Sequence, residues 1–166
     1  MLKLVIAIAV AGGAPDLPGP QWDGRTFRAY ADGSAGVSFE VPMSEVRVEA
    51  RHFDVPGKAA HVLSLIGPGG VEVAVDVWND AREPGAFLDA ELPFLKSPGS
   101  STASVVVAKR LPALLIAQPR TPSALALRTA LFSVGGRVFR VTCALADDAR
   151  ARAVFERVLD TFEVRR

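Results

Sequence analysis

Asp76, Asp80, Glu83 and Asp89 form the densest gathering of carboxylates in this chain, and Trp78 stands inside it. Oxygen-rich clusters bind hard cations, and an indole beside acids at the end of a strand can line a pocket or an interface. The run lacks the alternating acids and central glycine of an EF-hand loop, so any divalent cation held here is expected to be held weakly. A solvated strand end that caps the following helix accounts for the same residues. Trp78, Asp80, Asp76 and Glu83 are therefore the candidate binding residues.

Other chemistries are less well supplied. A nucleophilic hydrolase needs an activated serine or cysteine, a histidine base and a group that orients it. Ser34, in DGSAG, lacks the glycine spacing of a nucleophile elbow and reads as a turn. Cys143 shares its strand phase with Phe139, Val141 and Leu145, which puts the thiol on a core face where thiolate character is low. His52 and His61 lie outside any metal-ligand spacing and are expected to be satisfied or rim-exposed. Gly67 to Gly70 lacks the Gly-Lys-Ser/Thr ending of a phosphate loop, and GxGxxG is absent. One cysteine excludes an internal disulfide and any Cys-rich metal site. No cofactor is implied and no catalytic set is complete, so the chain reads as a non-enzyme.

The composition bounds the scaffold for these residues. At 166 residues, 49% hydrophobic and 22% charged, the chain can bury one core without a disulfide or a metal. Nineteen basic against eighteen acidic residues leave no electrostatic footprint for nucleic acid or an anionic membrane. Residues 15–108 hold 13 acids and 7 bases, and residues 109–166 hold 5 acids and 11 bases. Interleaved strands would cancel that difference locally; otherwise a basic face carrying Arg128, Arg137, Arg140 and Arg150 could steer an acidic protein.

Residues 1–14, MLKLVIAIAVAGGA, place one cation before an apolar run and small residues after it, the order of a secretory signal peptide. The run is too short for a permanent membrane span. The expected address is therefore periplasmic or extracellular; the alternative is a buried first strand in a cytoplasmic protein. Residues 15–25, PDLPGPQWDGR, read as a Pro/Gly-rich tether, and residues 26–166 as a single domain.

Within that domain the dominant period is two. Val37, Phe39 and Val41 alternate with polar residues, as do Val46, Val48 and Ala50, and both runs predict half-buried strands. His61 to Ile66 and Val71 to Val77 predict a strand pair joined by Gly67 to Gly70. Pro84, Phe87, Leu88, Glu91 and Leu92 predict a short helix, ended by Pro93. Ser97 to Ser104 is expected to be a polar loop. Strands resume at Val105 to Lys109 and Ala113 to Gln118, and Leu125 to Val134 and Arg137 to Ala144 flank a Gly135-Gly136 hairpin link. Asp147 and Asp148 can cap a final helix whose stripe is Ala151, Val154, Phe155, Val158, Leu159 and Phe162. Such a stripe must lie on a sheet.

The glycine-led strand GVSFEVP (36–42), the strand RVFRVTC (137–143) and the closing FERVLDTFEV (155–164), in this order around one mid-chain helix, resemble the Mog1/PsbP-like superfamily. The resemblance implies an α+β fold, a mainly antiparallel central sheet flanked by helices as an α/β/α sandwich, with the C-terminal helix packed on the sheet. It also implies action by binding other proteins rather than by catalysis. Relatives often carry a tryptophan where this chain has Ser44 to Val46, and no functional residue transfers. The leading expectation is thus an exported accessory or chaperone-like protein with a protein partner. The alternatives are a small-ligand or divalent-cation module at Trp78 to Asp89, and an enzyme whose site is assembled from scattered residues such as His52, His61, Asp76 and Asp80.

Overall fold

The computed structural model describes residues 27–33, 35–42, 47–51, 60–67, 70–144, 146 and 148–164, with backbone alone at 47–51, 60–61, 66–67 and 70–72. The signal segment, the tether, the Ser34 turn, residues 44–46, His52, the tip of the Gly67 to Gly70 link, Leu145 and Asp147 lie outside the described residues, as does the side chain of His61.

Among the described residues, ten strands and two helices follow one another as β1 (Phe27–Asp32), β2 (Val37–Pro42), β3 (Arg47–Arg51), β4 (Ala60–Gly67), β5 (Gly70–Asn79), α1 (Pro84–Glu91), β6 (Ser101–Val107), β7 (Leu111–Gln118), β8 (Leu127–Val134), β9 (Arg137–Ala144), α2 (Ala149–Asp160) and β10 (Glu163–Val164). A 3-10 turn, Pro93–Leu95, follows α1. Strands β3-β4-β5-β9-β8-β7-β6 form one seven-stranded sheet, and β1-β2-β10 form a second. Every strand pairing among the described residues is antiparallel.

Alternation along the strands divides the large sheet into two faces. On one face Leu63, Leu65, Val73, Val75, Phe132, Phe139, Val141 and Cys143 join the stripe of α2 and Val37, Phe39 and Val41 of β2 in a single buried cluster. Phe162, just past the end of α2, stacks on Phe39 at 5.4 Å and meets Phe132 and Phe139 edge-on at 5.0 and 5.5 Å. On the other face Phe87 and Leu88 of α1 and Leu92 and Leu95 just after it pack on Ile116, Leu131 and Val138, with Trp78 and Leu114 at the margin.

Local chemistry explains the element ends. Asp148 Oδ1 accepts the backbone N–H groups of Arg150 and Ala151 at 2.8 and 2.9 Å, capping α2. Pro84 sits in the first turn of α1, where its missing N–H costs nothing. Gly135 and Gly136 take φ of +60° and +73° between β8 and β9, as a two-residue hairpin link requires. The β6–β7 turn needs the same conformation at Ala108 and Lys109, with φ of +51° and +60°, where side chains make it costly.

One expectation is corrected. Ser97 to Ser104 is not a loop throughout, because from Ser101 onward it is the first half of β6, paired residue by residue with β7. Its polarity reflects an edge position, where Ser101 to Ser104 are exposed. The loop reading mistook solvent exposure for absence of structure. The acidic and basic portions of the chain do interleave: Asp76 pairs with Arg140, and Glu40 with Arg157. Arg140 and Arg137 occupy opposite faces of β9, so the four arginines form no common basic face.

Candidate functional site

The predicted site residues fall on the last residues of β5 and the entry to α1. Asp76 and Trp78 share the α1 face of β5, since Val75 and Val77 take the opposite one. Register pairs Asp76 with Arg140 of β9, and both Nε and Nη2 of Arg140 donate to Asp76 Oδ2, at 3.0 and 2.7 Å. The guanidinium also lies over the Trp78 ring at 5.2 Å. Phe87 of α1 meets the same indole edge-on at 5.1 Å. Trp78 is therefore held from two sides while remaining half-buried.

Beyond the strand, Arg82 organises the surface. Its Nε and Nη2 donate to both oxygens of Asp80, and Nη2 also reaches Glu91 Oε1 at 2.7 Å. The guanidinium covers Phe87 at 5.3 Å, and the Arg82 carbonyl accepts from Ser133 Oγ at 2.8 Å. These hydrogen bonds from Arg82 hold the Asp80 carboxyl below the usual aspartate value. Hydrogen bonds to Asp80 and then Glu91 push the Arg82 guanidinium still higher than usual. Glu83 is the N-cap residue of α1, but its side chain makes no capping hydrogen bond. Asp89 pairs with Lys96.

The structure thus brings Asp76 and Trp78 together on one sheet face and places Asp80 and Glu83 in the adjoining connection to α1. The cluster is not a convergent carboxylate site: Asp76, Asp80 and Asp89 each have a basic partner. Among the described residues no three His, Cys, Asp or Glu side chains come together as metal ligands. Cys143 is fully buried on the α2 face. Register sets His61 across from Asp76 and Arg51 across from His61, a row that strand spacing alone does not reveal. Sequence reasoning did not connect Arg82, Arg140 or Glu91 to this cluster. Arg82 is only two residues from Asp80, and that spacing was a usable signal. Arg140, 64 residues from Asp76, gave none.

A concavity lies away from these residues, at the far end of β7 and β8. It is a cleft of about 330 Å³ lined by Ser101, Ala117, Gln118, Arg120, Leu127 and Arg128 among others. Gln118 Nε2 donates to Ser97 Oγ at 3.0 Å, while its Oε1 is buried with no hydrogen-bond partner among the described residues.

Among proteins of known structure, the chain is similar to cyanobacterial PsbP (CyanoP) from Synechocystis sp. PCC 6803, with a TM-score of 0.54 and 9% identity over 93% of this chain and 97% of that one. The fold is PsbP-like, an α+β arrangement of mostly antiparallel sheets with two helices. A protein from Bacteroides thetaiotaomicron VPI-5482 aligns with a TM-score of 0.46 and 15% identity over 83% of this chain and 48% of its own. No family model and no curated protein matches the chain. No helix among the described residues is long and apolar enough to cross a membrane.

Proposed function

We propose that this chain works without catalysis, by contact with another protein, through the ledge where β5 runs into α1. Trp78 is the observation that carries the reading: a half-buried indole clamped between Arg140 and Phe87 and bordered by the Asp80–Arg82–Glu91 ion pairs. Tryptophan and arginine are enriched at the energetic centres of protein interfaces, and a side chain already fixed loses less freedom on binding. The two helices on opposite faces of the large sheet support a helix/sheet/helix sandwich as the frame for that ledge. The residue order of segment 1–14 supports export, so the partner is sought outside the cytoplasm.

The test places a photo-crosslinking side chain at Asn79 in the native cell. A defined adduct is expected, lost in Trp78→Ala and in Arg82→Glu and retained in Asp160→Lys on the outer side of α2. Adduct formation that ignores all three changes would refute the ledge as the contact. Intact-mass measurement of the same protein checks the address: a retained segment 1–14 in the cytosol removes the export reading.

Small-ligand binding is the second reading, favoured by the cleft at Gln118 rather than by the acidic run. Calcium and manganese bear on the cation alternative. A rise in melting temperature that Asp80→Asn abolishes would favour it over protein contact, because a ligand bound only by the folded state stabilises that state.

A further inference from the structure

Strand β6 ends the seven-stranded sheet, and nothing in its sequence guards that edge. Natural edge strands are blunted by lysines, prolines, bulges or a covering element. STASVVV carries no charge and no proline, and its seven pairs with β7 run from Ser101↔Ala117 to Val107↔Leu111 without a register shift. The layer built by α1 spans Trp78, Val138, Leu131, Ile116 and Leu114, on β5, β9, β8 and β7. It stops short of β6, leaving Thr102, Ser104 and Val106 on the same face exposed, Val106 at 61%. Among the described residues, no strand pairs with the outward edge of β6, which runs beside an exposed β-branched side chain.

We propose that this edge pairs with β6 of a second copy of the chain, antiparallel, making one continuous sheet across a two-fold axis. Geometry restricts the register. A two-fold axis perpendicular to the sheet keeps each residue on its own face, and directly opposed residues must share a face. A residue on the axis must then pair with its own counterpart. Placing Ser104 there uses the whole strand: Thr102 meets Val106, Ala103 meets Val105, and Ser101 meets Val107 of the other copy.

Charge argues for this occupant. The paired strands bring no like charges together, since STASVVV carries none and the nearest cations, Lys109 and Arg110, lie in the turn that leaves β6 for β7. Thr102 against Val106 is a β-branched cross-strand pair, and the contact covers the exposed Val106. Seven paired residues bury less than the roughly 1,200 Å² of a tight interface, so association is weak and strongly concentration-dependent.

Sedimentation velocity of the full chain from about 1 μM to about 1 mM, the range of weak affinities, reads the association directly. The expected result is a mass rising toward twice the monomer's at the top of the range, with that rise lost in Val106→Lys. Circular dichroism of V106K confirms that the fold is kept. Mild oxidation of Ser104→Cys is expected to give a covalent dimer, Cys143 being buried. Ala103→Cys is expected to give little, because the two copies of residue 103 lie about 8 Å apart along and across the paired strands, beyond disulfide reach. A monomer at every concentration, or crosslinking of A103C as efficient as that of S104C, overturns the proposal. The ledge at Trp78 plays no part in this pairing, so either reading can fail alone.

Discussion

Arg140 reaches across from β9 and sets two of its nitrogens, Nε and Nη2, on one oxygen of Asp76, deep in the α1 face of the large sheet. With side-chain exposures of 8% for the acid and 16% for the base, the pair is largely out of water. Two charges desolvated together gain little net stability, but removing one leaves the other uncompensated. Asp76→Ala is expected to cost about 3 kcal/mol, and Asp76→Ala with Arg140→Met distinctly less than the sum of the single changes. Urea denaturation of the four proteins in a double-mutant cycle measures the coupling. Strict additivity would show that the pair is not a unit.

Phe162 joins the end of α2 to the second sheet and the first. Its ring touches Phe39, Phe132 and Phe139, and it is fully buried. Phe162→Ala opens a cavity among three rings that cannot collapse together, and is expected to cost about 3–5 kcal/mol. Phe162→Leu, which keeps most of the volume, should cost less. Thermal unfolding of both variants tests the order.

Lys109 holds a left-handed backbone conformation in the turn that connects β6 to β7, where Arg110 N–H donates to the Val107 carbonyl at 3.1 Å. Its side chain is exposed. Lys109→Gly removes the clash of Cβ with the backbone and is expected to raise stability by about 1 kcal/mol, somewhat offset by the extra freedom of glycine in the unfolded chain. A lower unfolding midpoint in K109G would refute that account of the turn.

Tyr30 is the chain's single tyrosine, so tyrosinate absorbance reports it alone. Burial, and then the nearby charge of Asp32, raise its phenol above the ordinary value of 10.0. A raised acid keeps its contribution below the unfolded-state value and loses it as pH climbs through the folded one. Spectrophotometric titration is expected to show a midpoint above 10.0, falling toward it in Asp32→Asn, with stability declining over that alkaline interval.

Much of this frame is legible from short-range pattern. The α2 stripe, the Asp148 cap and the Gly135-Gly136 link announce themselves within a dozen residues, because helical spacing, capping and tight turns are local requirements. Strand β6 was half hidden because Ser101 to Ser104 owe their strand state to pairing with β7, not to any apolar face of their own. Strand β1 was not distinguished for a similar reason: FRAYAD alternates poorly, and it is ordered by its pairing with β2. At the candidate site, the residue types of Trp78 and Asp80 were visible, but the role of Asp76 depends on Arg140. Sheet register decides that partnership, and no spacing rule carries it.

Strand β10 pairs Glu163 and Val164 with Ser38 and Val37, so almost the last residues described clasp nearly the first. Contacts of such long sequence separation slow folding, since a large loop must close before they form. During synthesis the aromatic and aliphatic faces of the early strands must wait, uncovered, until the terminal helix has left the ribosome. Until α2 and β10 fold back, the apolar side chains of β2 lack the partners that bury them in the finished fold, the kind of transient exposure that favours misassembly.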